Sequence, residues 1–378
     1  MINKVHIENS VAYDFVQDSV TRINAIFEEK GVLSQHDPFF KQRAGQIAMA
    51  HAVANAIQQC DALVVEAGTG VGKTYAYLVP ALLSGERVII STATKTLQDQ
   101  LFGRDLPNLV AMLGLPVKTA LLKGRSSYLC TYRLELARQD FGSSDRGIQN
   151  TLTKVETWSH TTRSGDLAEL SGLDERSPVL PYITSSRDNC LGSQCPNFRS
   201  CYVNLARREA LAADVVVINH HLFFADLAVR DSGMAELLPT VRVVIFDEAH
   251  QLNETGVQFL GAQLGTAQII DLARDILATG MLLARGLCEW RDLASDLEKA
   301  ARDLRLSVGK HASGTKLRWV NTVPENVDEH TWFEALQSIT ASCEKLIIAL
   351  NMVSELGPDF VRLLERCNQL QERTELFK

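Results

Sequence analysis

Apolar and polar positions follow two different periods along this chain, and the change of period divides it. Ala62–Glu66, Arg87–Thr92, Val117–Leu122, Asp214–Asn219 and Val241–Asp247 are short runs rich in β-branched residues and read as strands. Gln46–Ile57, Lys73–Leu83 and a segment starting at Thr96–Leu101 carry helical spacing between them. Strands alternating with helices predict an α/β domain with a mostly parallel sheet. Upstream, Val11–Glu29 has the spacing of a helix stopped by Gly31. Between about Tyr128 and Arg208 the strand signal fades. After Gly256 the texture becomes leucine- and alanine-rich, and Leu293, Leu297, Ala301 and Leu304 mark one face of an amphipathic helix. Two such stretches, Ile269–Leu306 and Thr331–Phe377, flank a linker at His311–Glu329. The expected division is 1–127, 128–208, 209–255 and 256–378, with the first and third segments forming one domain.

Composition narrows the class. An apolar fraction of 46% over 378 residues supports more than one core. The N-terminus lacks the apolar run of a signal peptide, and no stretch approaches the roughly 18 uncharged apolar residues of a membrane span. The expectation is a cytoplasmic protein with no membrane partner. The net charge of −7 argues against a nucleic-acid partner, but local windows argue the other way. Lys118–Arg138 holds Lys118, Lys123, Arg125, Arg133 and Arg138 against Glu135 alone, and Arg187–Arg208 holds four arginines against Asp188. A basic stripe on an acidic protein can still track a phosphate backbone.

Two motifs carry phosphate chemistry. Ala67-Gly68-Thr69-Gly70-Val71-Gly72-Lys73-Thr74 lies between an expected strand and an expected helix, the context a P-loop requires. Glycines let the backbone curl so that its N–H groups face phosphate oxygens, and the helix N-terminus adds a favourable dipole. Lys73 would reach the β- and γ-phosphates, and the Thr74 hydroxyl would hold Mg²⁺. Val243–Phe246 then delivers Asp247-Glu248-Ala249-His250 to the carboxyl edge of the sheet. Asp247 would bind Mg²⁺, Glu248 would polarise the attacking water, and His250 could report the state of the nucleotide across the cleft. Together the two motifs indicate an ATP-hydrolysing enzyme. Upstream, Arg43 and Gln46 are three apart and could read an adenine edge. Ser91–Leu101 follows the second strand with hydroxyls, Lys95 and amides; Thr92, Lys95 and Gln98, with Arg125 further on, are candidate DNA contacts. A plain N-capped helix with Thr94 or Thr96 as the cap accounts for the hydroxyls equally well.

Eight cysteines fall into two groups. Cys60, Cys288, Cys343 and Cys367 are scattered in apolar surroundings and read as core. Cys130, Cys190, Cys195 and Cys201 lie in the arginine-rich segment with 59, 4 and 5 residues between successive members. Four thiolates can hold zinc or an iron–sulfur cluster; zinc prefers pairs spaced more closely than these, which leans towards a cluster.

Taken together, EAGTGVGKT (Glu66–Thr74), STATKTLQDQL (Ser91–Leu101), LLKGRSSYLC (Leu121–Cys130), DNCLGSQCPNFRSC (Asp188–Cys201), VVVINHHLFFADL (Val215–Leu227) and VIFDEAHQL (Val244–Leu252) resemble the XPD/DinG family of superfamily 2 helicases, on its bacterial YoaA branch. The resemblance runs from about Phe39 to Leu252. It implies a P-loop (RecA-like) parallel-sheet motor domain with an inserted four-cysteine cluster domain, followed by a helical Arch-like region. It also implies ATP and Mg²⁺ as cofactors, a [4Fe–4S] cluster on the four cysteines, and 5′-to-3′ DNA unwinding linked to repair or replication. Single-stranded DNA and single-strand/duplex junctions are the implied partners, with a replication or repair protein possible. Nothing between Gly256 and Lys378 resembles the second motor domain of that family, so the chain reads as an N-terminal portion. The alternative is a nucleic-acid-binding or redox-sensing module whose ATP site does not cycle.

Overall fold

The β-branched runs form a parallel sheet: Val88–Thr92 and Val215–Ile218 are buried on both faces, the pattern of strands inside a covered sheet, while Val244 on one edge is exposed. In the computed structural model, which describes residues 20–378 except 38, 141–145, 175, 187–188, 232–236, 313 and 321, the strands are β1 (Val88–Thr92), β2 (Thr119–Leu121), β3 (Val215–Asn219) and β4 (Val243–Phe246). They run parallel in the order β2-β3-β1-β4. The central strand β1 pairs Ser91 with Ile218 on one side and with Phe246 on the other. That register brings the carboxyl ends of β1, β3 and β4 to one edge.

The chain divides into two units, one made of the residues up to Gly124 together with Val203–Phe259, the other of Arg125–Tyr202 and Leu260–Lys378. The first holds the sheet, the helices α1 (Ala44–Gln59), α2 (Lys73–Leu83), α3 (Lys95–Gln100) and α4 (Leu106–Leu113), and most of α7 (Tyr202–Ala212), α8 (His220–Asp231) and α9 (Leu252–Leu260). Its largest core joins Leu78, Val79, Leu106 and Leu109 to Val88, Ile90, Val215 and Val217. Of the helix expected at Val11–Glu29, residues 20–27 are helical and seat Ile23 and Phe27 in this core; the part before residue 20 lies outside the described residues. The expected strand Ala62–Glu66 is not formed. Leu63, Val64 and Val65 are exposed, Val64 by 96%, and among the described residues no ladder includes them. An apolar run becomes a strand only where a neighbour supplies the hydrogen bonds.

The second unit holds α5 (Thr131–Asp140), α6 (Arg146–Ser159) and four long helices, α10 (Thr266–Leu283), α11 (Trp290–Ser307), α12 (Glu329–Val353) and α13 (Pro358–Glu375). The residues of α11 read as one face (Leu297, Ala301, Leu304) are buried, while Leu293 lies at the margin of the same core. Cys343 and Cys367 are buried there as expected. Cys60 is not a core residue: it is exposed, in the left-handed turn that ends α1, with its sulfur 2.9 Å from Arg242 Nη2. The cysteine-bearing segment is tied to the long helices by polar contacts. Tyr132 donates to Asp359 at 2.6 Å, and Asp275 accepts from Arg366 at 2.8 Å and Arg133 at 3.4 Å.

Trp290 is the largest fully buried side chain of this unit and packs flat against the helix backbone at Gly280. A Cβ built on Gly280 would lie 2.4 Å from the indole, whose Nε1 is fixed by a 2.9 Å bond to the Ala284 carbonyl. Alanine at a helical glycine gains about 1 kcal/mol of propensity; overpacking a fixed ring costs about 1–3 kcal/mol. The overlap should win, so Gly280→Ala lowers the thermal midpoint of the purified protein. A raised midpoint would show that the indole has room to move.

Candidate active site

The loop between residue 66 and α2 turns through Gly70 (φ 81°) and Gly72 (φ 87°), both in the left-handed region that glycine tolerates. Lys73 and Thr74 open α2 directly after that turn. Gly68, Thr69 and Gly70 are exposed, and Ala67, Val71, Gly72, Lys73 and Thr74 are half-buried. Gln46 of α1 is buried, and its amide donates to the Gly72 carbonyl at 2.9 Å. A Cβ on Gly72 would meet that amide at 2.2 Å, so the third glycine is required by packing as well as by its φ. Gln46 therefore touches the loop rather than standing free at an adenine edge, and Arg43 is exposed at the N-cap of α1.

From the other side β4 delivers Asp247 and Glu248. Asp247 N–H donates to the Ser91 carbonyl at 2.9 Å, which continues the ladder one residue past the strand. Glu248 then takes a left-handed conformation (φ 56°, ψ 45°) rare for a residue with a Cβ. This turn brings its Oε1 to 3.3 Å from Lys73 Nζ and its Oε2 to 3.4 Å from His250 Nδ1. The P-loop lysine and three residues of the DEAH box thus share one cleft edge. Tyr77, one turn into α2, donates to Asp247 Oδ2 at 3.3 Å and also bonds Thr74. Burial first and the Asp247 charge second push the phenol well above its ordinary value. Burial, then the charge of Glu248, raises the Asp247 carboxyl; Tyr77 and Lys73 oppose that only in part. A carboxylate disfavoured in this way is one that a divalent cation relieves.

The four residues singled out as DNA contacts are placed very differently. Lys95 is exposed at the start of α3, whose N-cap Thr94 accepts from Leu97 N–H at 3.2 Å. Thr92 is buried at the end of β1. Gln98 is fully buried, and its amide donates to the carbonyls of Leu122 and Val217, stapling β2 to β3. Its role is in the sheet, not on a surface. Arg125 opens a short 3-10 turn of the second unit, half-buried. Lys123, counted in the basic stripe, is buried and paired with Asp99 at 2.6 Å.

The four clustered cysteines are half-buried and unbridged. They lie within electrostatic reach of one another: Cys130 senses Cys195 and Cys201, and Cys195 senses Cys190 and Cys201. Burial pushes the Cys130 thiol up to about 11, and the neighbouring thiolates add to it. Asn197 anchors the Cys195–Cys201 loop beside Cys130 by donating to Thr131 and Glu135. Among the described residues, no three ligating side chains close on one point as a finished metal site.

Neither the role of Tyr77 nor the contact of Gln46 with Gly72 follows from the motifs alone. Tyr77 was open to inference, since a residue four positions after Lys73 on a helix lies one turn along the same face.

A parallel sheet with a glycine-turned lysine loop facing an Asp-Glu pair defines a P-loop nucleotide-binding domain. The DEAD/DEAH box helicase model matches residues 47–139, and the chain is similar to the YoaA and DinG helicases. It is 42% identical to the ATP-dependent DNA helicase YoaA of Haemophilus influenzae over 95% of this chain and 56% of that protein. It is 44% identical to the Escherichia coli YoaA over 79% of this chain and 47% of that protein. The ATP-dependent helicase DinG of Mycobacterium tuberculosis is 39% identical over 62% of this chain and 38% of its own length. The chain spans about half the length of the YoaA proteins it matches. No described helix is long and apolar enough to cross a membrane.

The raised Asp247 carboxyl has a stability consequence. Its ionised form is disfavoured in the fold, so it costs stability once pH rises past the ordinary carboxyl range. Asp247→Asn should raise the midpoint of nucleotide-free protein at neutral pH. A lower midpoint without nucleotide would show that Asp247 is held as a favourable anion.

Proposed function

We propose that this chain carries the ATP-binding part of a DNA helicase. The observation that carries the reading is the meeting of Lys73 and Glu248 at 3.3 Å beside Asp247 and Tyr77. ATP would lie with its phosphates on the backbone of Ala67, Gly68, Thr69, Gly70, Val71 and Gly72. Its γ-phosphate would draw Lys73 away from Glu248, leaving that carboxylate free to accept a proton from the attacking water. Mg²⁺ would be held by the Thr74 hydroxyl and Asp247, on either side of the Tyr77 phenol. His250 lies beside Glu248 and would feel its charge change. Arg43 and Gln46 remain the groups nearest in sequence to an adenine contact. For DNA, the exposed Lys95 and the half-buried Arg125 would contact phosphates, while Thr92 supports the loop from within. We assign the polarity as 5′-to-3′, the setting as DNA repair or replication, the substrate as single-stranded DNA or its junctions with duplex, and the compartment as cytoplasm.

We further propose a [4Fe–4S] cluster on Cys130, Cys190, Cys195 and Cys201, within a segment bounded at about 128–208 and followed by an Arch-like region from about 256. Four soft donors, two of them (Cys130 and Cys195) with their thiols pushed up by burial and then by the neighbouring cysteines, fit a cationic iron centre, which would stabilise the thiolates. Bound there, the group would supply a covalent tie for a loop with little regular structure, and a redox couple.

Lys73→Ala should weaken ATP binding by two orders of magnitude or so, since no other side chain in the loop brings a positive charge to the γ-phosphate. Titration with a fluorescent ATP analogue and Mg²⁺ measures this, and equal affinity would remove the P-loop assignment. Anaerobically purified protein should carry about four irons per chain with broad visible absorption, and Cys195→Ser should release them. Stoichiometric zinc without iron would defeat the cluster while leaving the ATP site standing.

A further inference from the structure

Ser91 is the last residue but one of β1, just before Thr92 and the segment that leads to Gln98, and it is completely buried. It makes two contacts in different directions. Its carbonyl accepts from Asp247 N–H at 2.9 Å, and its Oγ lies 2.7 Å from Nδ1 of His220. His220 is the first residue of α8, held there by Asn219, whose Oδ1 caps the helix by accepting from Leu222 N–H at 2.9 Å. The ring is wholly buried, tilted against Phe246, the residue before Asp247, with ring centroids 6.0 Å apart. Its second nitrogen, Nε2, is sealed from water and lacks a partner at full hydrogen-bond geometry. The backbone of Asp247 and of Glu248 nonetheless lies close enough to draw the ring's proton affinity up, against a larger lowering by burial.

A buried imidazole in this setting is neutral. With the Ser91 hydroxyl donating to Nδ1, the ring's hydrogen sits on Nε2 and faces the Asp247–Glu248 backbone. An N–H sealed in this way carries the cost of an unmade bond, which a small shift of that backbone would recover. Glu248 is also the residue held in a left-handed conformation, so its carboxylate position depends on what grips its backbone.

We propose that His220 is a positioning residue that couples the β1–α3 segment, on the DNA-facing side, to the Glu248 carboxylate. The link runs from Ser91 Oγ through the imidazole to the Asp247–Glu248 backbone. When DNA shifts the end of β1, Ser91 moves the ring, and Nε2–H closes on a carbonyl of the DEAH turn. Glu248, freed from Lys73 by the γ-phosphate, then takes its place beside it. By reciprocity, nucleotide that reorders the turn changes the grip on DNA. This rests on the reading of the chain as a DNA-dependent ATPase.

The test measures the affinity of this chain for a fluorescent oligo-dT strand, by anisotropy, with and without a slowly hydrolysed ATP analogue and Mg²⁺. The parent should show a coupling factor of about fivefold or more. His220→Ala should bring that factor to about one while leaving the affinity for nucleotide alone within about twofold, and Ser91→Ala should do the same. The two together should be no worse than either, because they interrupt one link. His220→Gln, whose amide can reach the same carbonyls, should restore part of the coupling, which a packing role would not predict. Full coupling in His220→Ala overturns the proposal and leaves the helicase reading intact. If His220→Ala fails to fold, Ser91→Ala and His220→Gln decide: full coupling in Ser91→Ala, or none in a folded His220→Gln, overturns the link. A parent chain that binds neither nucleotide nor DNA overturns both readings.

Discussion

Lys73 and Glu248 are 175 residues apart in sequence and 3.3 Å apart in space. Holding an ammonium and a carboxylate together over that separation requires two backbones that each stop at one place. The first is the Gly70–Gly72 turn, which can curl as it does because neither residue carries a Cβ. The second is the Asp247–Glu248 turn, where a residue with a Cβ is held in the left-handed region. The parallel register of β1 with β4 sets the height at which the second turn occurs, and the Asp247 N–H to Ser91 carbonyl bond fixes it. Both partners are about a third exposed, so the ion pair adds little to stability. Its consequence is chemical: the loop's lysine is occupied by a carboxylate of the Asp-Glu pair.

The sequence was informative wherever a residue's chemistry is decided locally. Four of the five strands, the P-loop helix and the amphipathic helices after residue 256 are stated by runs and spacings that no distant contact overrides. The N-cap at Thr94 belongs with them. Illegible from sequence were roles that depend on what lies opposite. Gln98 and Lys123 have the side chains of surface contacts, yet the first satisfies two strand carbonyls and the second pairs with Asp99 inside the fold. Ala62–Glu66 has the pattern of a buried strand and lacks the neighbour that would make it one. Cys60 sits among apolar residues in the sequence but occupies a left-handed helix end, which places it at the surface.

The second unit shows the same division between local and distant control. Trp290 seats itself against Gly280, and the apolar faces of α10 to α13 build a core that spacing alone foretells. The tie between the cysteine segment and those helices is different. It runs through Tyr132–Asp359 and through Asp275 with two arginines, over separations of up to 227 residues, and no motif announces it. Such contacts are only partly buried, so they orient more than they stabilise. A loop of short turns carrying three of the four thiols has little regular structure of its own, and these contacts with the Asn197 anchor give it its place.

The central claim is that Lys73 is held by Glu248 until a phosphate displaces it, and Glu248→Gln tests it most directly. The substitution removes the competing charge and keeps the shape. Titrated with Mg²⁺ and ATP, Glu248→Gln protein should bind at least as tightly as the parent, because the lysine no longer has a carboxylate to leave. Affinity reduced tenfold or so in Glu248→Gln would mean that Glu248 helps to hold the nucleotide, and would contradict the claim.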